Sequence, residues 1–197
     1  MLEIELKSVV DDLPMRRAAV HDAGGSLTYA GHLVDWRYDT PDRALTARDH
    51  VLRLRVYHSV TETRAELDWK GPTRREHGYK LREELGVHVA EHDVLADMLE
   101  RLGYVVTIAI DREIAQYELG GATVRFEHYP RLDDLVEVEG TPEQIERAIA
   151  AIGLPRDGFT TERLPDFVRR YEARTGQRAV LCHSELRGDA RYDPANA

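Results

Sequence analysis

The chain contains a single cysteine, Cys182, so it cannot form an intramolecular disulfide. It lacks any apolar run close to the ~20 residues that cross a bilayer. Its first residues also lack the apolar stretch of a signal peptide. We therefore expect a cytoplasmic protein with no membrane partner.

Basic residues, and lysine above all, are scarce. The 197 residues include 36 acids and 27 bases, which gives a formal net charge of −9. A general nucleic-acid binder needs a basic surface to neutralise phosphates, so no nucleic-acid partner is expected. Lys7, Lys70 and Lys80 are the only lysines beside 24 arginines, and all three stand in strand-like segments rich in other charges. This placement indicates a role for the lysines beyond solvation.

What the sequence does contain is a series of segments in which charged and apolar residues alternate. This period of two predicts β-strands, whereas apolar residues at helical spacing predict the helices between them. The predicted strands cover about residues 2–7, 33–39, 51–56, 65–70, 79–89, 105–117, 123–128 and 135–139. The predicted helices cover about residues 11–24, 91–102, 142–153 and 161–174. We see no linker before residue 176, so we predict one domain over 1–176 and a loosely ordered tail over 177–197.

The charged side chains of nearly every predicted strand share one parity, and the other parity is mostly aliphatic or aromatic. Solvated strand faces are usually rich in short polar residues, which are scarce here. A closed antiparallel barrel with helices outside would bury the aliphatic faces and place the charges in its lumen. Charges inside a protein need partners, so this arrangement predicts a bound ion or ligand.

The two signs of charge in this lumen predict two kinds of ligand. Carboxylates hold hard divalent cations such as Mg²⁺ or Mn²⁺ through oxygen. Lysine and arginine hold polyanions, and the arginine fork fits phosphate oxygens. The residues therefore predict a metal-dependent site for a small polyphosphate.

Six motifs follow one another along the chain: Glu3-x-Glu5-x-Lys7, Tyr38-Asp39-Thr40-Pro41, Leu52-Arg53-Leu54-Arg55, Trp69-Lys70-Gly71-Pro72, Leu81-Arg82-Glu83-Glu84 and Val136-Glu137-Val138-Glu139. In this order they resemble the CYTH family, the triphosphate tunnel metalloenzymes, and the resemblance covers residue 2 to about residue 172. The family groups class IV adenylyl cyclases, thiamine triphosphatases, inorganic triphosphatases and fungal-type RNA triphosphatases. The resemblance implies an α+β fold, an eight-stranded antiparallel closed tunnel barrel with a charged lumen and helices packed outside.

The resemblance also implies roles for the lumen residues. The implied metal ligands for Mg²⁺ or Mn²⁺ are Glu3, Glu5, Glu137 and Glu139. The implied phosphate ligands are Lys7, Arg53, Arg55, Lys70, Lys80, Arg82, Arg112 and Arg125. The implied catalytic residues are Glu3, Glu5, Lys7 and Glu127, the last of which is a candidate to orient water or to bind metal.

One position departs from the family pattern. The strand before the Gly120-Gly121 turn usually offers two basic residues, spaced by one, ahead of a tyrosine. Counting back from Tyr117, Arg112 fills the first position and Ile114 the second. Either one phosphate contact is missing, or the register is shifted by two residues.

Three functions remain open on this evidence. We favour a divalent-metal-dependent triphosphatase that hydrolyses inorganic tripolyphosphate or an organic triphosphate. The alternative is a class IV adenylyl cyclase that converts ATP to cyclic AMP and pyrophosphate. A polyphosphate-binding module without catalysis is a third option, which the four glutamates disfavour because binding alone needs bases more than metal ligands. In each case the expected partner is a small-molecule triphosphate such as tripolyphosphate or ATP, and a homodimer is left open.

Overall fold

The computed structural model describes residues 2–196, in which the chain alternates between long strands and short helices. The strands are β1 (Leu2–Val9), β2 (Ser26–Asp39), β3 (Val51–His58), β4 (Thr63–Lys70), β5 (Arg74–Glu76), β6 (Tyr79–Val89), β7 (Val105–Leu119), β8 (Ala122–His128) and β9 (Leu135–Glu139). The helices are α1 (Leu13–Asp22), α2 (His92–Arg101), α3 (Pro142–Ile152), α4 (Leu164–Thr175) and α5 (His183–Arg187). No helix within residues 2–196 has both the length and the apolar composition needed to cross a membrane.

Eight of the strands close into an antiparallel barrel. Their order around the ring is β1-β9-β8-β7-β2-β3-β4-β6, and β6 returns to pair with β1. The short β5 pairs with the first residues of β6 and adds a ninth strand at the edge. The predicted fold, an α+β protein with an eight-stranded closed antiparallel barrel and helices outside, is therefore confirmed.

Most apolar side chains of the barrel lie on the outside, where helices cover them. Leu6, Val136 and Val138 pack against Ile145 and Ile149 of α3 in one continuous cluster. Helix α2 covers a second apolar face over β3 and β4, and α4 packs over residues of β7 and β9. Since alternate residues of a strand face opposite sides, the charged parity of each strand points into the barrel.

Local sequence signals fix the ends of α3. The Thr141 side chain accepts a hydrogen bond from the Gln144 backbone, and the Gln144 side chain accepts one from the Thr141 backbone. Pro142 occupies the first helical position, where its missing N–H is not needed. Gly153 ends the helix with φ 75°, a left-handed conformation that glycine adopts without strain. Helix α3 is thus held at a fixed place against the barrel.

Strand β2 is longer than predicted. It begins at Ser26 instead of residue 33, and it pairs with β7 along almost its whole length. Its register with β7 shifts between Leu27 and Tyr29 and again between Arg37 and Tyr38. The stretch before residue 33 lacks a clear period of two, so the long pairing with β7, and not local alternation, makes it a strand.

The segment after residue 176 differs from the loosely held tail that we expected. Residues 179–182 are buried, and Val180 exchanges two backbone hydrogen bonds with Arg131. The backbone N–H of Asp111 donates to the Leu181 carbonyl, and the Asp111 carboxylate accepts from the backbone of His183. A four-residue segment of this kind has too few residues to show a period. The division of the chain at residue 176 remains a prediction.

Candidate functional site

Two spaces lie inside the barrel, and they differ in size and charge. The first, which we call the inner cavity, is narrow, with a volume of about 80 Å³. The second, which we call the mouth, is about 900 Å³. The inner cavity is lined by Lys7, Arg37, Arg53, Lys70, Lys80, Arg82, Arg112, Arg125 and Arg163, with the carboxylates Glu5, Glu127 and Glu137. The mouth is lined by Glu3, Glu66, Asp68, Glu84 and Glu139, with Arg55 and His88.

Most of the predicted phosphate ligands meet in the inner cavity. Seven of the eight line it, whereas the eighth, Arg55, lies at the mouth. Arg55 contacts Asp68 at 2.6 Å and Glu66 at 3.2 Å, so acids on the neighbouring strand β4 hold its guanidinium. The nine basic residues of the inner cavity outnumber its three carboxylates, which gives this space a strong preference for anions.

Lys7 joins two buried carboxylates at one wall of the inner cavity. Its Nζ lies 2.7 Å from Glu137 and 3.6 Å from Glu127. Burial alone would lower the pKa of Lys7, but the attraction of the two carboxylates outweighs burial and raises the pKa. Lys7 therefore stays charged at neutral pH and available to an anion in the cavity.

Glu127 is almost completely buried and fully engaged. Its carboxylate accepts hydrogen bonds from Arg112 Nε at 3.0 Å and from the Tyr129 hydroxyl at 2.7 Å. Burial opposes its ionisation, but Lys7 and Arg112 together lower the pKa of Glu127 to about 2. A carboxylate of this pKa is a poor proton acceptor, so its geometry suits holding Arg112 and Lys7 in place.

Three of the four predicted metal ligands meet between the two spaces. One carboxylate oxygen each of Glu3, Glu5 and Glu139 lies within 4.8 Å of the others. Burial and the neighbouring negative charges of Glu137 and Glu3 raise the pKa of Glu139 well above its usual range, despite the opposing attraction of Arg125. A cluster of oxygen ligands that repel one another at this distance fits a hard divalent cation.

The fourth predicted metal ligand, Glu137, has different partners. Its carboxylate contacts Lys7 at 2.7 Å and Arg125 Nη1 at 2.9 Å. On β9, Glu137 lies opposite Lys7 of β1, whereas Glu139 lies opposite Glu5. Burial opposes the ionisation of Glu137, yet Lys7 and Arg125 lower its pKa well below its usual range. In this structure it anchors cations of the inner cavity.

The cluster of three carboxylates is linked to lysines of the inner cavity. Lys70 Nζ lies 2.6 Å from a Glu3 oxygen, and Lys80 donates to Glu5 across the β1–β6 pair. Each of these lysines can therefore reach either a carboxylate or an anion in the cavity. Lys80 shares its parity with Arg82 on β6 and lies in the same cavity.

Arg82 is held by two backbone carbonyls, and its Nη2 also lies 4.0 Å from the Asp49 carboxylate. Its Nε donates to the Gly71 carbonyl at 2.7 Å, and one Nη donates to the Asp49 carbonyl at 2.6 Å. Asp49 has φ 55°, a left-handed conformation that aspartate tolerates better than most residues. Arg82 thus ties the loop before β3 to the end of β4.

Sequence reasoning missed two lumen residues on β2. Asp35 is only 1% exposed, and its nearest cations are Arg53 Nη1 at 3.6 Å and Arg112 Nη1 at 4.0 Å. Arg37 lines the inner cavity two residues further on. The signal was present, because residues 34–38 alternate apolar and charged side chains as the other lumen strands do.

Ile114 lies in an apolar cluster with Tyr29, Leu33 and Tyr57. The β2–β7 register is regular here, with Ile114 opposite Gly31 and Arg112 opposite Leu33. Since Ile114 shares the parity of Arg112, it occupies a lumen position and supplies no positive charge. Of the two explanations for the departure from the family pattern, the structure supports a missing base over a shifted register.

Known proteins resemble this chain in sequence pattern and in fold. The CYTH domain model matches residues 1–152. Among curated proteins, no sequence matches the chain significantly. A Vibrio parahaemolyticus protein described as a candidate adenylate cyclase has 19% identity and a TM-score of 0.73, with 86% of this chain and 98% of that chain covered.

Two further solved structures share the fold. The PH1819 protein of Pyrococcus horikoshii has 20% identity and a TM-score of 0.70, with 89% of this chain and 99% of that chain covered. A Hippeastrum protein described as having a dominant triphosphatase activity has 16% identity and a TM-score of 0.61, with 91% and 98% covered. Identities this low show the fold alone. The family model spans most of the chain, and with the barrel and its charged lumen it shows that this chain belongs to the CYTH family.

Proposed function

We propose that the protein is a divalent-metal-dependent triphosphatase that binds the phosphates of a small triphosphate in the inner cavity. The observation that carries this proposal is the excess of nine basic residues over three carboxylates in the inner cavity, which shares one of these carboxylates, Glu5, with the cluster of Glu3, Glu5 and Glu139. The basic set suits a polyanion, and the acidic set suits a metal ion. Polyphosphates that bind Mg²⁺ or Mn²⁺ meet both requirements, and the cytoplasm is the compartment that we propose.

The two sets of charges support an exchange of partners on binding. In this structure Lys70 and Lys80 neutralise Glu3 and Glu5. When phosphates enter the inner cavity, these lysines gain phosphate partners, and the carboxylates are left for the cation. A bound divalent cation would neutralise charge on phosphate oxygens and lower the pKa of a water molecule. The residues that would hold it are Glu3, Glu5 and Glu139.

The remaining lumen residues position the phosphates. Arg112 is oriented by Glu127, and Arg125 is oriented by Glu137, so each guanidinium is fixed before the substrate arrives. Fixed charges stabilise a phosphoryl-transfer transition state without reorganising during the reaction. Lys7, between the same two carboxylates, adds a point charge on the β1 wall. We propose that Glu127 acts by positioning, since its low pKa disfavours a role as base.

The mouth favours hydrolysis over cyclisation. A cyclase must hold the adenine and ribose of ATP at the open end of the tunnel. Among the described residues, no phenylalanine, tyrosine or tryptophan lines the mouth, so it offers none of these rings for stacking a base. We therefore propose inorganic tripolyphosphate, or a triphosphate with a small organic group, as the substrate.

The test is incubation with tripolyphosphate, and separately with ATP, in the presence of Mg²⁺ or Mn²⁺. We expect release of orthophosphate, and Glu5→Gln should abolish that release while the circular dichroism spectrum stays unchanged. Arg169→Lys, on the exposed face of α4, is the matched control and should release orthophosphate at the normal rate. Cyclic AMP and pyrophosphate would establish the cyclase instead, and tight binding without turnover would establish a binding module.

A further inference from the structure

Arg37 stands apart from the other cations of the inner cavity. Lys7, Lys70, Lys80, Arg53, Arg112 and Arg125 each contact at least one carboxylate. Arg82 donates to two backbone carbonyls, and Arg163 contacts Asp49. In the part of the chain that the structure describes, the Arg37 side chain has neither a hydrogen bond nor an ion pair within 4.0 Å, and its Nε is buried without a partner.

Arg37 is half-buried, and its Nε is a buried donor that has lost water without gaining a hydrogen-bond acceptor among the described residues, which is costly. Asp35 attracts it from a distance, while Arg53 and Arg112 repel it. Burial lowers the pKa of Arg37 to about 10, so it remains charged at neutral pH. A positive side chain in this basic cavity would be stabilised by a bound anion, which would supply the missing hydrogen-bond acceptor.

Arg37 does not take the place of the base that is missing at Ile114, because the two positions lie far apart along the barrel. Arg37 lies opposite Ile108, and Ile108 belongs to the apolar cluster that α4 covers. Ile114 lies opposite Gly31, six residues away along β2. At ~3.3 Å per residue, the two positions are about 20 Å apart along the strand. A base at Arg37 therefore acts at a different end of the lumen from a base at position 114.

The wall of the lumen around Ile114 is unsuited to phosphate for a second reason. Tyr29, Leu33, Tyr57 and Ile114 pack together there, and Tyr29 and Tyr57 meet edge to face at 5.4 Å. Apolar and aromatic side chains give a phosphate oxygen no hydrogen bond to replace water. The end near α4, in contrast, is bordered by Arg37, Arg163 and Lys7.

We propose that Arg37 forms an additional phosphate subsite, which binds the terminal phosphate at the α4 end of the inner cavity. This inference rests on the proposed function, because it assumes that the cavity holds a phosphate chain. It adds a residue to the binding site and sets the direction in which the phosphates extend. The phosphate chain runs from the carboxylate cluster at the mouth towards α4.

Calorimetric titration with inorganic tripolyphosphate, in buffer that contains EDTA so that no turnover occurs, tests the subsite. We expect Arg37→Gln to raise the Kd at least ten-fold, which corresponds to about 1.4 kcal/mol. Arg37→Lys, which keeps the charge without the fork, should recover part of the affinity. Arg101→Gln, at an exposed position of α2, is the matched control and should bind as the wild type does.

Thermal unfolding of the free proteins separates binding from a structural role. Because Arg37→Gln removes the buried unsatisfied Nε and a positive charge that Arg53 and Arg112 repel, it should raise the Tm of the free protein while reducing the stabilisation by tripolyphosphate. A lower Tm together with weaker binding would assign Arg37 a structural role and overturn the inference. Equal affinity of Arg37→Gln and wild type, alongside weaker binding by Arg112→Gln, would overturn it while leaving the proposed function intact. A wild type that binds no tripolyphosphate would refute both.

Discussion

Replacing Lys7 with methionine tests whether the ion pairs between Lys7 and its two carboxylates are buried in the lumen and stabilise the fold. Methionine has nearly the length of the lysine stem, so the substitution removes the charge and leaves the packing largely unchanged. Lys7 Nζ lies 2.7 Å from Glu137 and 3.6 Å from Glu127, and both carboxylates are less than a tenth exposed. The variant therefore leaves two buried negative charges with less compensation.

The expected magnitude follows from this burial. Removing one partner of a buried ion pair typically costs about 3–5 kcal/mol, because the other charge remains buried. For a chain of this size that corresponds to a fall in Tm of roughly 6–20 °C. Arg125 and Arg112 still contact the two carboxylates, so we expect the lower half of this range.

The assay is urea unfolding monitored by circular dichroism, with Arg187→Met as the matched control. Arg187 Nε lies 2.7 Å from Asp189, the same distance as Lys7 from Glu137, but both side chains of this pair are more than half exposed. Exposed ion pairs contribute about 0–1 kcal/mol, so the control should unfold close to the wild type. Equal effects of Lys7→Met and Arg187→Met would refute a buried, charged lumen.

The pH dependence gives an independent check. The pKa of Glu127 is about 2, and the pKa of Glu137 is also lowered, so the ionised form of each carboxylate stabilises the folded protein. This stabilisation is fully present above the unfolded pKa of about 4.3 and is lost as the pH falls towards the folded values. The stability gap between wild type and Lys7→Met should therefore be constant from pH 6 to 8 and shrink below about pH 4. A gap that is unchanged at pH 3 would contradict the assignment of these carboxylates as the partners of Lys7.

Three further predictions concern neighbouring residues. Glu139→Gln relieves carboxylate repulsion, so the metal-free protein should unfold at a higher temperature, while calorimetry should show Mn²⁺ binding weakened at least ten-fold. Lys70→Arg should lower kcat/KM for tripolyphosphate about ten-fold, because the wider guanidinium displaces the phosphates, and even a small displacement of the reacting groups lowers the rate. The control Arg169→Lys should keep the normal kcat/KM. Asp35→Asn removes the buried negative charge among Arg53 and Arg112, so the Tm of the free protein should fall and be restored by saturating tripolyphosphate. A Tm deficit in that variant that tripolyphosphate leaves unchanged would show that Asp35 does not balance the lumen arginines.

The sequence by itself determined which residues face the lumen. A strand has a fixed period of two, so the parity of Glu3, Glu5 and Lys7 already separates them from the aliphatic face. The same rule puts Arg53 and Arg125 on the charged parity of their strands, and the order of the six segments indicates the closed barrel. These features are local, which is why they can be seen in the sequence.

Tertiary structure decided how the lumen charges pair. Parity cannot tell which of the four glutamates meet, since that depends on the tilt and register of strands from distant parts of the chain. Only the closed barrel brings Glu139 beside Glu3 and Glu5, and turns Glu137 towards Lys7 and Arg125. That Arg37 Nε lacks a partner among residues 2–196 is likewise a property of the tertiary structure, because it depends on every side chain within reach. Pairing is set by distances across the barrel, and those distances exist only once the strands have closed.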